Sequence, residues 1–234
     1  MPLTLLLVRH GQTPYNAENR YQGQRDVPLS ETGRVQAVRL GARLGAACAA
    51  HGGPWAHSRF PGRPVAVYAS DLRRASETAA LIVAEMSAAD PKGTPPPVHL
   101  LPALRERDFG AWEGLTIGEI RARFAGETEP REAEPWAVVW DRMNGALAAI
   151  QKSHPPPNAV VLVVGHGGSL RAFLCHALGV GRDHVRRFCL DNASLSIIEL
   201  GNAFVENGES RVLVLNDTSH LFFACGPAAL SGAL

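Results

Sequence analysis

The chain is poor in the features that mark several common protein classes. It has four cysteines in 234 residues, Cys48, Cys175, Cys189 and Cys225. None forms a Cys-x-x-Cys pair or a metal-ligand spacing, which argues against a disulfide framework or a structural zinc site. Reduced, mostly buried thiols are expected. No run approaches the roughly 18 apolar residues that a membrane helix needs. Met1-Pro2-Leu3 has no basic segment before its short apolar run, so no secretory signal is expected. Cytoplasmic location without a membrane partner follows as the expectation. Charge of either sign is not in excess. Lys+Arg 23 against Asp+Glu 22 gives a net charge of +1, which provides no global surface for nucleic acid. Any anion recognition must be local. No internal repeat is visible, and the histidines form no cluster with carboxylates, so neither metal nor cofactor is expected. With 46% hydrophobic and 19% charged residues, the composition is that of an ordinary globular protein. A single domain over 1–234 is expected.

The apolar runs that do occur are short and continuous. Residues 3–8, 65–69 and 159–164 lack alternation, as strands buried on both faces do. Helical patterns lie between them. Ser30 is a candidate N-cap before Glu31, with Val35, Val38 and Leu44 on a helix running to about residue 46. Ala75, Thr78, Ala79, Ile82, Val83 and Met86 form one face of a helix over 72–87. Trp136, Val139, Trp140, Met143, Leu147 and Ile150 form another, and Leu170 to Leu178 a further helix. Leu195–Glu199 and Val212–Leu215 read as late strands, an antiparallel pair joined through Asn207-Gly208. Residues 50–64 and 90–97 are Gly/Pro-rich loops, and Pro155-Pro156-Pro157 ends a helix. The alternation predicts a three-layer α/β/α sandwich with a mostly parallel central sheet and helices on both faces.

Chemistry concentrates at the predicted strand ends. Arg9-His10-Gly11 follows the first run, and Gly165-His166-Gly167 follows the third. Both histidines fall at the carboxyl edge of the sheet, where open α/β folds bind ligands. Glycine beside each would let backbone approach a ligand closely. The second run ends at Ser70-Asp71-Leu72-Arg73-Arg74, which places Arg74 at the same edge. Two arginines and two histidines suit a tetrahedral oxyanion, phosphate above all. Helix N-termini after Gly11 and Gly167 would add backbone N–H groups. His10 can attack phosphorus as a neutral imidazole. Glu106, in the charged loop Leu104–Gly114, is the preferred proton donor. An apolar enclosure would suit that role by raising its pKa. Glu113 is the competing carboxylate, with hydrogen bonding to backbone as its plainer role.

Four blocks then carry a resemblance. They are Leu7-Val8-Arg9-His10-Gly11-Gln12-Thr13, Ser70–Ala79, Leu104-Arg105-Glu106 and Gly165-His166-Gly167. In this order they resemble the histidine phosphatase superfamily, the phosphoglycerate mutase-like proteins with an Arg-His-Gly signature. The resemblance implies that His10 is the phosphorylated nucleophile and Glu106 the proton donor. It implies that Arg9, Arg74 and His166 bind the phosphoryl group. It also chooses Arg74 over Arg73, since neighbouring helical side chains point about 100° apart. Asn16, Gln22 and Gly23 match pocket positions, and Gly167 a backbone donor. Asp191–Ser194 and Asn216–Leu221 read as structural closing segments. Only about 20 residues separate Gly114 from the helix at Trp136, shorter than the mutase insertion, so the phosphatase branch is closer. A Gly-Glu-Ser segment frequent in that branch is replaced here by Glu132-Ala133-Glu134-Pro135-Trp136.

The expected activity is metal-independent hydrolysis of a small phosphorylated metabolite through a phosphohistidine. Relatives imply a homodimer. A cofactor-dependent phosphoglycerate mutase and a non-catalytic phospholigand-binding module are the alternatives.

Overall fold

A computed structural model describes residues 3–49, 62–91, 93–155, 159–201 and 209–222. Six strands form one sheet: β1 (Thr4–Arg9), β2 (Ala66–Ala69), β3 (Val98–Leu100), β4 (Val160–Gly165), β5 (Leu195–Glu199) and β6 (Arg211–Asp217). Their order is β3-β2-β4-β1-β5-β6. β1 pairs in parallel with β4, β4 with β2, and β2 with β3. β5 runs antiparallel to β1, and β6 antiparallel to β5. The helices are α1 (Pro14–Ala17), α2 (Glu31–Ala49), α3 (Arg73–Ala89), α4 (Ile117–Arg123), α5 (Trp136–Ser153) and α6 (Gly167–Ala177).

Alternate residues of the central strands feed opposite layers, as the pleat requires. Leu5, Leu7, Val161 and Val163 pack with Val139, Met143 and Ile150 of α5 and Phe173 of α6. Leu6, Val8, Leu162 and Val164 pack with Leu40 and Leu44 of α2 and Ile82 and Met86 of α3. Each such side chain, wholly removed from water, contributes roughly 1.5–3 kcal/mol. The result is the three-layer sandwich with a mostly parallel sheet that the alternating pattern predicts.

Two details differ from the sequence reading. Val35 is exposed, and α2 instead buries Ala37, Leu40, Gly41, Leu44 and Gly45. A Cβ at Gly41 would stand 2.7 Å from that of Glu85, so small residues, not Val35, set the close α2–α3 approach. The apolar helix at residue 170 begins earlier, at Gly167, directly after His166. The Asn207-Gly208 turn, Cys225, residues 50–61 of the 50–64 loop, Pro156-Pro157 and the tail after Gly226 lie outside the described residues.

The parallel strands share a direction, so their carboxyl ends meet at one edge. Arg9-His10 leave β1 there, Arg73-Arg74 follow β2, and His166 follows β4. The segment after β3, which sequence reading left without a strand, carries Leu101 through Glu106 to the same edge.

Candidate active site

His10 is buried and its Nδ1 lies 2.6 Å from the Gly11 carbonyl. A carbonyl only accepts, so Nδ1 carries the proton and Nε2 keeps its lone pair. Burial, with Arg74 and Arg9 beside it, holds His10 well below the ordinary imidazole pKa. The ring is therefore neutral at neutral pH. His166 lies behind it, with ring centroids 5.1 Å apart. Arg74 Nε donates to His166 Nδ1 at 3.1 Å, which puts the His166 proton on Nε2. Burial first, then the Arg74 charge, also holds His166 well below the usual value. His166 Nε2 and Arg9 Nε are both buried with no hydrogen-bond partner among the described residues.

Arg74 is wholly buried while Arg73 is exposed. Besides His166, Arg74 donates to the carbonyls of Arg25 at 2.8 Å and Gly23 at 2.7 Å. Burial lowers its pKa to about 10, so it stays cationic. Arg9 is anchored through Nη1 to the Leu190 carbonyl at 2.7 Å. These anchors fix both guanidinium planes before any ligand arrives.

Glu106 is buried and lines the cavity, but not in the apolar enclosure expected. Its Oε2 accepts from the Gly168 N–H at 2.8 Å. Its Oε1 accepts from Ser169 N–H at 3.0 Å and Arg107 N–H at 2.9 Å. The first turn of α6 thus donates to Glu106 through the Gly168 and Ser169 N–H groups, so these two expected donors are already used. The N–H of Gly11 is used as well: it donates to Thr78 Oγ1 at 3.1 Å. A Cβ at Gly11 would collide with the Gly33 carbonyl. That glycine admits α2, not a ligand.

Asn16 and Gln22 line the cavity and present their amide NH2 ends. Asn16 Oδ1 accepts from Thr13 N–H and Asn192 Nδ2, each at 3.1 Å. Gln22 Oε1 accepts from Thr13 Oγ1 at 2.8 Å. Gly23 adopts φ 55°, the left-handed region, and turns its carbonyl to Arg74. Glu113 does what a loop carboxylate does: Oε1 accepts from Gln24 and Phe109 N–H and Oε2 from Arg25 N–H. It latches the 22–25 loop to the 106–113 loop.

The cavity holds about 200 Å³ and is lined by Arg9, His10, Asn16, Arg20, Gln22, Gly23, Arg74, Glu106, Phe109, Trp136, Gly167, Gly168 and Arg171. His166 stands one layer back. Arg20, Phe109, Gly168 and Arg171 were not singled out by motif. Trp136, on a helix face read as core, is half-buried and faces the cavity, with Arg107 stacked 4.8 Å from its ring. Asn192, read as structural, donates to the His10 carbonyl at 3.1 Å and so ties Asn16 to the His10 backbone. Arg142 pairs with Glu134 at 2.7 Å and donates to the Glu106 carbonyl at 3.1 Å. The Glu132–Trp136 departure therefore has a structural role: it holds the loop that carries Glu106. Among the described residues no group of three or more ligating side chains could hold a metal ion. None of the described helices is long and apolar enough to cross a membrane.

The buried histidines set a pH dependence of stability. His10 and His166 titrate lower when folded than the ordinary 6.5, and burial pushes His220 down to about 4. Below 6.5 the unfolded chain binds the extra protons, so stability is fully present above that pH and lost as pH falls. Thermal melts are expected to be level from pH 8 to 7 and to decline from 6.5 toward 4. A melting temperature unchanged between pH 7 and 5 would contradict neutral buried rings.

A profile of the histidine phosphatase superfamily (branch 1) matches residues 5–218. The metal-independent phosphoserine phosphatase of Arabidopsis thaliana is 34% identical over 210 residues, covering 84% of this chain and 76% of the relative. Phosphoserine phosphatase 1 of Hydrogenobacter thermophilus is 32% identical over 227 residues, covering 93% of each. Among solved structures, a mycobacterial glucosyl-3-phosphoglycerate phosphatase in complex with VO3 matches with a TM-score of 0.72 at 30% identity, over 91% of this chain and 98% of that one. The match runs along almost the whole sequence, and the chain belongs to the histidine phosphatase superfamily, branch 1, as a phosphatase of that type.

Proposed function

We propose that the protein hydrolyses small phosphomonoesters without a metal ion, through a phosphohistidine on His10. The observation that carries the reading is the pair of orphaned buried donors, Arg9 Nε and His166 Nε2, beside a neutral His10 whose Nε2 lone pair is free. Unpaired buried N–H groups cost free energy, and phosphoryl oxygens would satisfy them. Arg9, Arg74, His166, Asn16 and Gln22 bind the phosphoryl oxygens, and Gly23 and Gly167 shape the backbone around them. His10 Nε2 attacks phosphorus in line. Glu106 gives a proton to the departing alcohol oxygen and then takes one from the water that cleaves the phosphohistidine. Fixed donors around the transferring group stabilise charge without reorganising. The cavity of about 200 Å³ suits a small metabolite, and the named substrates of the relatives are phosphomonoesters.

Rapid-quench mixing with a phosphate-labelled ester tests this. An acid-labile, base-stable label on His10 is expected, with turnover unchanged by excess EDTA. Steady hydrolysis with no label on His10 would refute the mechanism. Isomerisation of 3-phosphoglycerate faster than phosphate release, dependent on 2,3-bisphosphoglycerate, would move the assignment to a mutase. Binding without turnover across a phosphate panel would move it to a binding module.

A further inference from the structure

The arginines around the cavity differ in what they already hold. Arg20 is matched by Glu18 at 2.6 Å and Glu119 at 2.8 Å. Arg107 is buried, paired with Glu129 at 2.6 Å and stacked on Trp136. Arg74 uses three of its five N–H groups on two carbonyls and His166, which leaves two for the phosphoryl group. Arg9 faces the phosphoryl position. Arg171 remains. It is half-buried and lines the cavity. Its Nε donates to the Gly167 carbonyl at 2.8 Å, and no carboxylate pairs with it among the described residues.

Its position on α6 says which part of a substrate it meets. Arg171 is four residues from Gly167 and three from Gly168, so it shares their helix face. Helical side chains lean toward the N-terminus, which brings Arg171 back over that first turn. A Cβ at Gly167 would lie 3.5 Å from Arg9 Nε and 3.7 Å from Arg171 Nη2. The two guanidinium groups therefore flank one backbone position, and the Arg171 charge acts on Arg9. Gly168 N–H holds Glu106. Arg171 thus stands beside the proton donor, on the side where the alcohol departs. Glu106 and Asp191 offset the charge of Arg9, whereas no carboxylate pairs with Arg171 among the described residues. One phosphoryl group meets Arg9 and Arg74, which leaves Arg171 for a second anion.

Resting on the phosphomonoesterase reading, we infer that Arg171 recognises a second anionic group on the leaving alcohol. The preferred substrates are then small phosphomonoesters that also carry a carboxylate or a second phosphate a few bonds from the ester oxygen. Phe109 and Trp136 contact the carbon skeleton between the two anions. Charge-assisted hydrogen bonds of this kind shift selectivity by about tenfold to a hundredfold.

Matched esters test the inference. 3-Phosphoglycerate and glycerol 3-phosphate differ in carboxylate against hydroxymethyl. 1,3-Propanediol bisphosphate and propyl phosphate differ in the second phosphate. p-Nitrophenyl phosphate reports the underlying phosphatase. The wild type is expected to favour at least one anionic partner by about tenfold or more in kcat/KM. Arg171→Met should collapse that ratio, and Arg171→Lys should restore part of it. The pair with the larger collapse identifies carboxylate or phosphate as the group recognised. A structural role through the Gly167 bond would lower both members of each pair alike and leave Lys no better than Met. That result, or a wild type that turns over p-nitrophenyl phosphate but shows neither preference, overturns the inference. A wild type that hydrolyses none of the five esters overturns the phosphatase reading beneath it. Arg171→Gln serves as the second variant if Arg171→Met does not fold.

Discussion

Replacing His10 with alanine is expected to lower kcat/KM for p-nitrophenyl phosphate by about a thousandfold or more and to abolish the phosphoenzyme. No other group among the cavity-lining residues can accept the phosphoryl group as His10 does. Arg9 and Arg74 have no lone pair to offer, both oxygens of Glu106 are held by backbone N–H groups, and His166, behind the cavity, spends its lone pair on Arg74. Ester binding should survive, because those donors remain in place. A control separates chemistry from folding. His10→Asn can keep a donor toward the Gly11 carbonyl, where Nδ1 now donates, yet its amide is no nucleophile. The asparagine variant should melt closer to the wild type than the alanine variant and be as inactive. Residual activity above about a tenth of the wild type in both variants would place the nucleophile elsewhere.

The second large effect is expected at Glu106 and depends on the leaving group. For an alkyl phosphate, Glu106→Gln should cost about a hundredfold to ten-thousandfold in kcat/KM. For p-nitrophenyl phosphate the loss should be about tenfold or less, since nitrophenol is acidic enough to leave as its anion. The constant kcat/KM reports steps only as far as alcohol departure, so the later attack of water does not obscure the contrast. The substitution also disturbs packing in a calculable way. Glutamine can place its oxygen at Oε1 and still accept from Ser169 and Arg107. Its NH2 then faces the Gly168 N–H, where a carboxylate oxygen now accepts at 2.8 Å. Opposing two donors costs roughly 1–3 kcal/mol, visible as a lower melting temperature. Equal losses for the two esters would remove Glu106 from the acid role.

What could be read from sequence followed from burial. β1 and β4 are wholly enclosed, so their residues form continuous apolar runs with clear ends, and the Arg and His that follow stand out. β3 is three exposed residues at a sheet edge, too short and too closely flanked by prolines to announce itself. It was missed, and with it the fact that a fourth strand delivers Glu106. α4 did leave a signal. Thr116 and Glu119 form a reciprocal cap, a pattern readable in Thr116-Ile117-Gly118-Glu119. Arg74 stood apart from Arg73 only through the family resemblance, although the structure separates them completely. Arg171, Asn192 and Arg142 were silent for another reason. Asn192 and Arg142 bond to partners distant in sequence, the carbonyls of His10 and Glu106, and Arg171 bonds only to its own helix, so no local pattern marks any of the three. Glu106 lines the cavity, but its surroundings were misread. The three N–H groups that hold it come from its own neighbour and from α6, more than sixty residues away.

The sheet order has a consequence for how the protein comes into being. β1 is the first strand synthesised, yet its neighbours are β4 and β5. Val8 finds Val164 on one side and Leu195 on the other. Until β4 (Val160–Gly165) has left the ribosome, Leu5 to Val8 have no neighbouring strand to join, and their second neighbour, β5, comes later still. Long-range parallel pairing of this kind is slow, and an apolar strand waiting for partners is prone to association. His10, the proposed nucleophile, follows that strand directly. The site around it is therefore expected to assemble only when the late strands close around β1. The appearance of the labelled phosphoenzyme during refolding would time the joining of the chain's beginning to its end.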